Sequence, residues 1–165
     1  MKALPLSLLL LTLAATSLAA EPSKPPITIE ADRLEMRHQD GQSRYQGNVE
    51  LQQGEMTLHA DTLEIRQRDG QLRRAIADGA PARLRLPDEE TGQLIRAEAR
   101  QMDYQLDQDR IELHGEAVLW RGKDEFRGEH LVYYIEERRV EASGTRSEDG
   151  SNGRVRIILQ QDGEP

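Results

Sequence analysis

Apolar and polar residues alternate along most of this chain. The apolar positions that show it, each separated by one residue, are Ile27/Ile29, Val49/Leu51, Met56/Leu58, Leu84/Leu86, Ile95/Ala97, Ile111/Leu113, Val140/Ala142 and Val155/Ile157/Leu159. A period of two places the apolar side chains on one face of a β-strand, and no segment keeps the period of a helix. Turn-forming pairs such as Asp40-Gly41 and Asp69-Gly70 separate the runs. The pattern predicts an all-β protein of many short antiparallel strands.

A short cassette recurs four times and interrupts this alternation. Its copies are 31–36, 60–65, 99–104 and 128–133, each with Ala or Gly first and Leu or Met three residues later. An odd step puts these two positions on opposite faces of a regular strand, so a bulge or corner must bend the chain there. A glycine follows each copy at a similar distance, at Gly47, Gly79, Gly115 and Gly144. Four corners would fold the sheet into two layers around a long apolar interior; an ordinary closed sandwich is the alternative.

The first twenty residues are predicted to lie outside the fold. Lys2 precedes an apolar run, and small residues follow up to Ala20, which is typical of a signal peptide over 1–20 with cleavage after Ala19 or Ala20. The apolar run is too short to cross a bilayer. We expect an extended leader over 21–26, one domain over 27–160 and a flexible tail over 161–165. The absence of cysteine excludes a disulfide framework and a lipid-modified Cys, and export to the periplasm is expected.

Composition argues against nucleic acid as a partner. The chain has 22 basic and 30 acidic residues, a net charge of −8, and few aromatic residues on which bases could stack. These charges are typical of a solvated outer surface.

Candidate chemistry is sparse in the sequence. His59 with Asp61, His114 with Glu116 and His130 with Glu129 could bind a metal, but each histidine belongs to a different unit and none forms a compact ligand motif. No nucleophile with a base and no phosphate-binding loop is recognisable. The sequence therefore predicts a protein that is not an enzyme, without catalytic residues, metal or cofactor.

Several strings in order resemble the OstA/LptA family of periplasmic lipopolysaccharide-transport proteins. They are PITIEADRL at 26–34, YQGNVEL at 45–51, LHADTL at 58–63, MDYQL at 102–106, LHGEA at 113–117 and FRGEHLVY at 126–133. The resemblance covers about 27–159. It implies an elongated, folded-over antiparallel β-jellyroll, or β-taco, open at both ends.

The resemblance also implies a function and partners. The apolar groove of such a protein carries the acyl chains of lipid A, passing lipopolysaccharide (LPS) from the inner to the outer membrane. Implied partners are an inner-membrane transport complex through an LptC-like domain, the LptD-like N-terminal domain of an outer-membrane translocon, and further copies joined head to tail. Transport energy would come from the partners, since the chain has no nucleotide-binding motif.

One inferred apolar face supplies the candidate groove. Its residues are Ile27, Ile29, Met36, Val49, Leu51, Leu58, Leu63, Leu84, Leu86, Met102, Tyr104, Leu106, Leu113, Leu119 and Leu131. Tyr104 and Leu106 lie in the segment that resembles the family's lipid-lining strand. For each residue, ordinary core packing is the alternative interpretation.

The terminal strands supply candidate edges for assembly, because unpaired strands can add a strand from another chain. The predicted edge residues are Ile27, Thr28, Ile29, Arg154, Val155, Ile157 and Leu159. At the C-terminal edge, a final strand that merely closes its own sheet is the alternative.

Two other classes of protein fit the sequence. A structural periplasmic adaptor would have a filled, dry core, and a small β-fold hydrolase would have a polar cleft with perturbed carboxylates. A lipid carrier requires an apolar groove.

Overall fold

A computed structural model describes residues 25–37, 40–88, 90–144 and 153–160. The predicted signal peptide and C-terminal tail lie outside these residues, and so do the first residues of the predicted leader. The ten strands are β1 (Ile27–Glu30), β2 (Arg33–Arg37), β3 (Gln42–Gln53), β4 (Met56–Arg68), β5 (Gln71–Pro87), β6 (Leu94–Gln105), β7 (Arg110–Arg121), β8 (Asp124–Tyr134), β9 (Arg139–Ser143) and β10 (Arg156–Ile158). The all-β prediction is confirmed.

The strands form one antiparallel meander. Strands β3 to β8 pair in chain order through hairpins. At one end, β1 and β2 both pair with β3; at the other, β9 and β10 both pair with β8. Among the described residues the sheet is therefore open, and both of its ends carry short edge strands.

Each long strand bends near its middle, where the register shifts. In β3, the two residues Gly47 and Asn48 oppose the single residue Asp61 of β4, and in β7 Gly115 and Glu116 oppose Glu129 of β8. Both glycines have positive φ, of 79° and 78°, a conformation that glycine adopts without steric cost. The cassettes begin at these corners, so the corner that their spacing predicts is confirmed.

The corners divide the sheet into two layers. The upper layer consists of residues 27–30, 49–60, 82–88, 90–99, 117–128 and 156–158, and the lower layer of residues 33–37, 42–46, 62–78, 101–114 and 130–143. Hairpin turns form the free margins of both layers. These turns lie on the side of the molecule opposite the corners, where Arg138 of the lower layer contacts Asp88 of the upper layer; we call this side the seam.

The core fills the space between the layers. Alternate residues of each strand point inward, and one cluster joins Val49, Leu84 and Leu119 of the upper layer to Leu63 and Leu113 of the lower layer. All five are at most 7 % exposed. The repeated alternation thus produces a continuous apolar interior along the stack of strands.

Across the described ranges, no helix is long and apolar enough to cross a membrane.

Candidate functional site

An apolar cavity lies between the two layers. Its lining is contributed by β1, by strands β3 to β7, and by the β6–β7 turn; the residues are Ile27, Leu51, Gln53, Met56, Leu58, Leu72, Ala75, Ala77, Leu84, Met102, Tyr104, Leu106 and Ile111. Gln53 and the Tyr104 hydroxyl are the polar groups among these side chains. The arrangement suits hydrocarbon, because nearly every lining atom is apolar.

The cavity is narrow. Its free volume is about 30 Å³, which is room for about two or three water molecules. Three features allow it to widen. Met56 and Met102 are unbranched and adaptable, Ala75 and Ala77 have small side chains, and β3 to β8 connect the two layers covalently at the corners rather than along the seam.

One stretch of the seam is apolar. Met56 lies at the margin of the upper layer, and Leu72, Tyr104 and Leu106 lie at the margin of the lower layer; all four line the cavity. We call this stretch, together with Gln53, the mouth. Burial raises the pKa of Tyr104, and the negative charge of Asp109 adds to the shift. The hydroxyl at the mouth is therefore a neutral hydrogen-bonding group well above pH 7.

A second stretch of the seam is bridged by polar groups. Arg138, in the β8–β9 turn of the lower layer, lies beside Asp88 of the upper layer, with 3.7 Å between Arg138 Nε and Asp88 Oδ2, and it also contacts Glu90. Arg121 Nη1 donates to the Arg138 carbonyl oxygen at 2.7 Å. Asp88 is nearly buried and accepts the backbone N–H groups of Glu90 and Thr91. We call Asp88, Glu90, Arg121 and Arg138 the clasp.

The outer face next to the mouth carries an ion pair. Asp103 lies between Met102 and Tyr104, so the alternation of the strand turns it away from the cavity. It is 5 % exposed and accepts from Arg74, whose Nε lies 2.7 Å from Asp103 Oδ1. This hydrogen bond raises the pKa of Arg74. The pair joins β5 to β6 behind the cavity wall.

The structure brings many of the predicted groove residues together. Those that line the cavity are Ile27, Leu51, Leu58, Leu84, Met102, Tyr104 and Leu106. Those buried in the adjoining core are Val49, Leu63, Leu113, Leu119 and Leu131, while Ile29 and Leu86 are partly buried against it. Met36 is 48 % exposed on β2 and does not line the cavity. Whether any of them touches lipid stays a prediction.

Several lining residues were not predicted from the sequence: Gln53, Met56, Leu72, Ala75, Ala77 and Ile111. Met56 and Ile111 belong to alternating runs, so the pattern alone could have included them. Leu72 and Ala75 are harder to predict from the sequence, because they are three residues apart and do not follow a period of two. A register shift between Arg66 and Gln67 of β4 lies opposite them and breaks the alternation of β5.

The predicted edge residues lie on or beside β1 and β10. Each of these strands pairs on one side, β1 with β3 and β10 with β8. The large exposed hydrophobic side chains of the described residues all lie at the two ends of the meander: Ile27, Leu34 and Met36 at one end, and Val155, Ile157, Ile158 and Leu159 at the other. Both ends therefore combine a free strand edge with apolar surface.

The interpretation of each histidine as isolated is wrong for two of them. His114 of β7 lies directly opposite His130 of β8, and their rings stack with centroids 4.5 Å apart. Glu112 completes a cluster of possible metal ligands. The corner causes this pairing. If β7 and β8 kept the register of their turn, His114 would lie opposite Leu131, and the extra residue at Gly115-Glu116 shifts it to His130.

Comparison with known proteins identifies relatives of this chain. Residues 28–139 match the family model described as LptA/(LptD N-terminal domain) LPS transport protein. Among solved structures, LptH of Pseudomonas aeruginosa, described as the LptA-homologous periplasmic component of the lipopolysaccharide transport device, is similar with a TM-score of 0.74 and 23 % identity, over 83 % of this chain and 96 % of that one. No sequence among curated proteins matches this chain.

Proposed function

Because the chain belongs to the LptA/LptD N-terminal domain family of LPS transport proteins, we propose that it is a periplasmic carrier without catalytic activity. It binds LPS through the acyl chains of lipid A and passes it from the inner to the outer membrane. The observation that carries the proposal is the apolar cavity between the layers, which reaches the seam at an apolar mouth.

The hydrophobic effect explains why such a cavity is needed. Moving an acyl chain through water costs about 0.8 kcal/mol for each CH₂ group, so a chain of roughly a dozen carbons costs on the order of 10 kcal/mol. A continuous apolar interior lowers this cost along the whole stack of strands. Since LPS enters with its sugar and phosphate groups in water, the acyl chains enter sideways, through the mouth.

Loading requires the cavity to widen, because its free volume of about 30 Å³ is too small for an acyl chain. Met56, Leu72 and Leu106 present apolar side chains at the mouth, and separating them exposes surface that the acyl chain then covers. The corner side holds the layers together during this movement. The protein therefore exchanges contacts between its own side chains for contacts with lipid.

A binding experiment with intact LPS tests the carrier function. The mature chain is titrated with fluorescent LPS and, separately, with vesicles of a zwitterionic phospholipid. The proposal predicts saturable binding of LPS and much weaker binding of the phospholipid. A structural adaptor with a filled core would bind neither, and that outcome would overturn the proposal.

Head-to-tail assembly is the second part of the proposal. The β1/β2 end and the β10 end differ in sequence, and a contact between different surfaces of identical chains does not close by symmetry, so it continues as a filament. The exposed apolar residues at both ends and the free edges of β1 and β10 support strand addition. The N-terminal end would meet an LptC-like domain, and the C-terminal end an LptD-like N-terminal domain.

Two complementary variants test this assembly. Ile27→Asp blocks one end and Ile157→Asp blocks the other, while Arg85→Asp on the exposed outer face of β5 is the control. By light scattering, the control forms oligomers, each blocked variant is monomeric, and an equimolar mixture forms dimers only. Dimers of either blocked variant alone would show that like ends pair, which contradicts the proposal. Circular dichroism confirms that each monomer is folded.

A further inference from the structure

The outer face of the lower layer brings two imidazoles and a carboxylate together. Glu112 and His114 lie on β7, two residues apart and therefore on one face, and His130 lies opposite His114 on β8. The Nε2 atoms of His114 and His130 are 3.4 and 3.5 Å from the same oxygen, Glu112 Oε2. Possible ligand atoms of the three side chains all lie within 4.8 Å of one another.

These separations fit metal coordination better than hydrogen bonding. A hydrogen bond from an imidazole N–H to a carboxylate spans about 2.7–3.2 Å, and both separations are longer. In a tetrahedral zinc site, bonds of about 2.0–2.1 Å place two ligand atoms about 3.4 Å apart. The two N···O separations are therefore those of two edges of such a tetrahedron.

The groups around the cluster orient its ligands. Glu112 Oε1 forms an ion pair with Arg110, whose Nη2 lies 2.7 Å away, and accepts a hydrogen bond from Gln105 Nε2 at 3.3 Å, which leaves Oε2 to face the histidines. His130 Nε2 is enclosed and has no hydrogen-bond partner. Outer groups of this kind hold metal ligands in position.

We propose that Glu112, His114 and His130 bind one divalent transition metal ion, Zn²⁺, with a water molecule in the fourth position. Two imidazoles and one carboxylate are a donor set that suits zinc, and the tetrahedral spacing favours it over metals that prefer square-planar or octahedral sites. The ion links β7 to β8 next to the Gly115-Glu116 corner. It therefore stabilises the C-terminal part of the meander, outside the lipid cavity.

Isothermal titration of the tag-free mature chain with Zn²⁺ tests the site. One ion binds per chain, and His114→Gln, His130→Gln and Glu112→Gln each weaken binding by about tenfold or more. The matched control is His59→Gln. His59 lies exposed on β4 with its Nδ1 3.9 Å from Glu50 Oε2 and is thus a histidine paired with a carboxylate but without a second imidazole. The control keeps the affinity of the unchanged chain.

NMR of the histidine ring nitrogens detects Zn²⁺ binding in the unchanged protein, without a substitution. In NMR spectra of the unchanged protein, Zn²⁺ shifts the Nε2 resonances of His114 and His130 together and saturates at one equivalent, while those of His59 stay in place. The proposal is overturned if titration shows no saturable binding, if His59→Gln loses as much affinity as Glu112→Gln, or if all histidine resonances shift alike.

Discussion

The two stretches of the seam close the same interior in opposite ways. At the mouth, Met56, Leu72 and Leu106 line the cavity with apolar side chains that can slide and repack. At the clasp, Arg138 joins the layers through a nearly buried carboxylate, Asp88, and through its own carbonyl oxygen, which accepts from Arg121. Apolar contacts are not directional, whereas these polar contacts require fixed geometry.

The difference indicates where the layers can part. Opening the mouth separates apolar side chains, and an acyl chain that enters offsets this cost because it buries the same apolar surface. An acyl chain cannot compensate for opening the clasp, because the nearly buried Asp88 carboxylate would lose its cationic partner Arg138. We therefore expect the layers to separate at the mouth and to stay joined at the clasp.

Of the changes proposed here, removal of the Arg138 side chain from the clasp should have the largest effect, and it should lower the stability of the fold. Arg138→Ala leaves the Asp88 carboxylate without its positive partner, and we expect a loss of about 1–3 kcal/mol in the free energy of unfolding. The control is the neighbouring Arg139→Ala, whose exposed side chain pairs with Glu137 and Glu141. Exposed pairs contribute little, so this change should destabilise the protein much less. Urea unfolding of the monomers measures both, and equal losses would show that the clasp does not join the layers.

Truncation at the mouth should affect lipid binding more than folding. Leu106 is half-buried and lines the cavity, and Leu106→Ala should weaken LPS binding by about tenfold, the loss expected from most of one buried leucine contact. The control is Leu34→Ala, because Leu34 is 51 % exposed on β2 and does not line the cavity. Fluorescence titration with LPS compares the two. If both variants bind LPS with a similar affinity, the acyl chains do not enter at the mouth.

The smallest expected effect is the loss of stability at alkaline pH that results from ionisation of Tyr104. Burial raises the pKa of Tyr104 in the folded protein, so Tyr104 contributes stability that is fully present below the unfolded pKa of about 10 and is lost as pH rises through the folded pKa. Tyr104→Phe should therefore lose less thermal stability than the unchanged protein between about pH 10 and 12. Tyr45→Phe serves as the control. An unchanged slope in Tyr104→Phe would show that the mouth does not bury this hydroxyl.

The fold could be predicted because the two sequence patterns that determine it, the alternation within strands and the odd step at each corner, each involve only neighbouring residues. Alternation identified the strands, and the odd step from Ala99 to Met102 identified a corner, since both residues are buried despite their spacing. The end strands follow the same alternation. The alternation could not decide whether the last strand is an edge or is covered, because whether Ile157 is covered depends on what lies beyond the sheet and not on its own sequence.

The site was only partly predictable, because its contacts depend on register. Tyr104 and Leu106 were predicted through a family resemblance, whereas the clasp joins turns that lie far apart in sequence, such as those of Asp88 and Arg138. The pairing of His114 with His130 arises from one extra residue at a corner. A corner is visible in the sequence, but the number of residues in it is not.

Site-specific photo-crosslinking shows whether the acyl chains of LPS enter the cavity at the mouth. A photoreactive amino acid is placed at Tyr104, at Leu106 and, as a control, at Arg85 on the exposed outer face of β5, and each protein is irradiated with LPS. We expect LPS adducts at Tyr104 and Leu106 and none at Arg85. Equal labelling at all three positions, or no labelling at the mouth, would contradict this expectation.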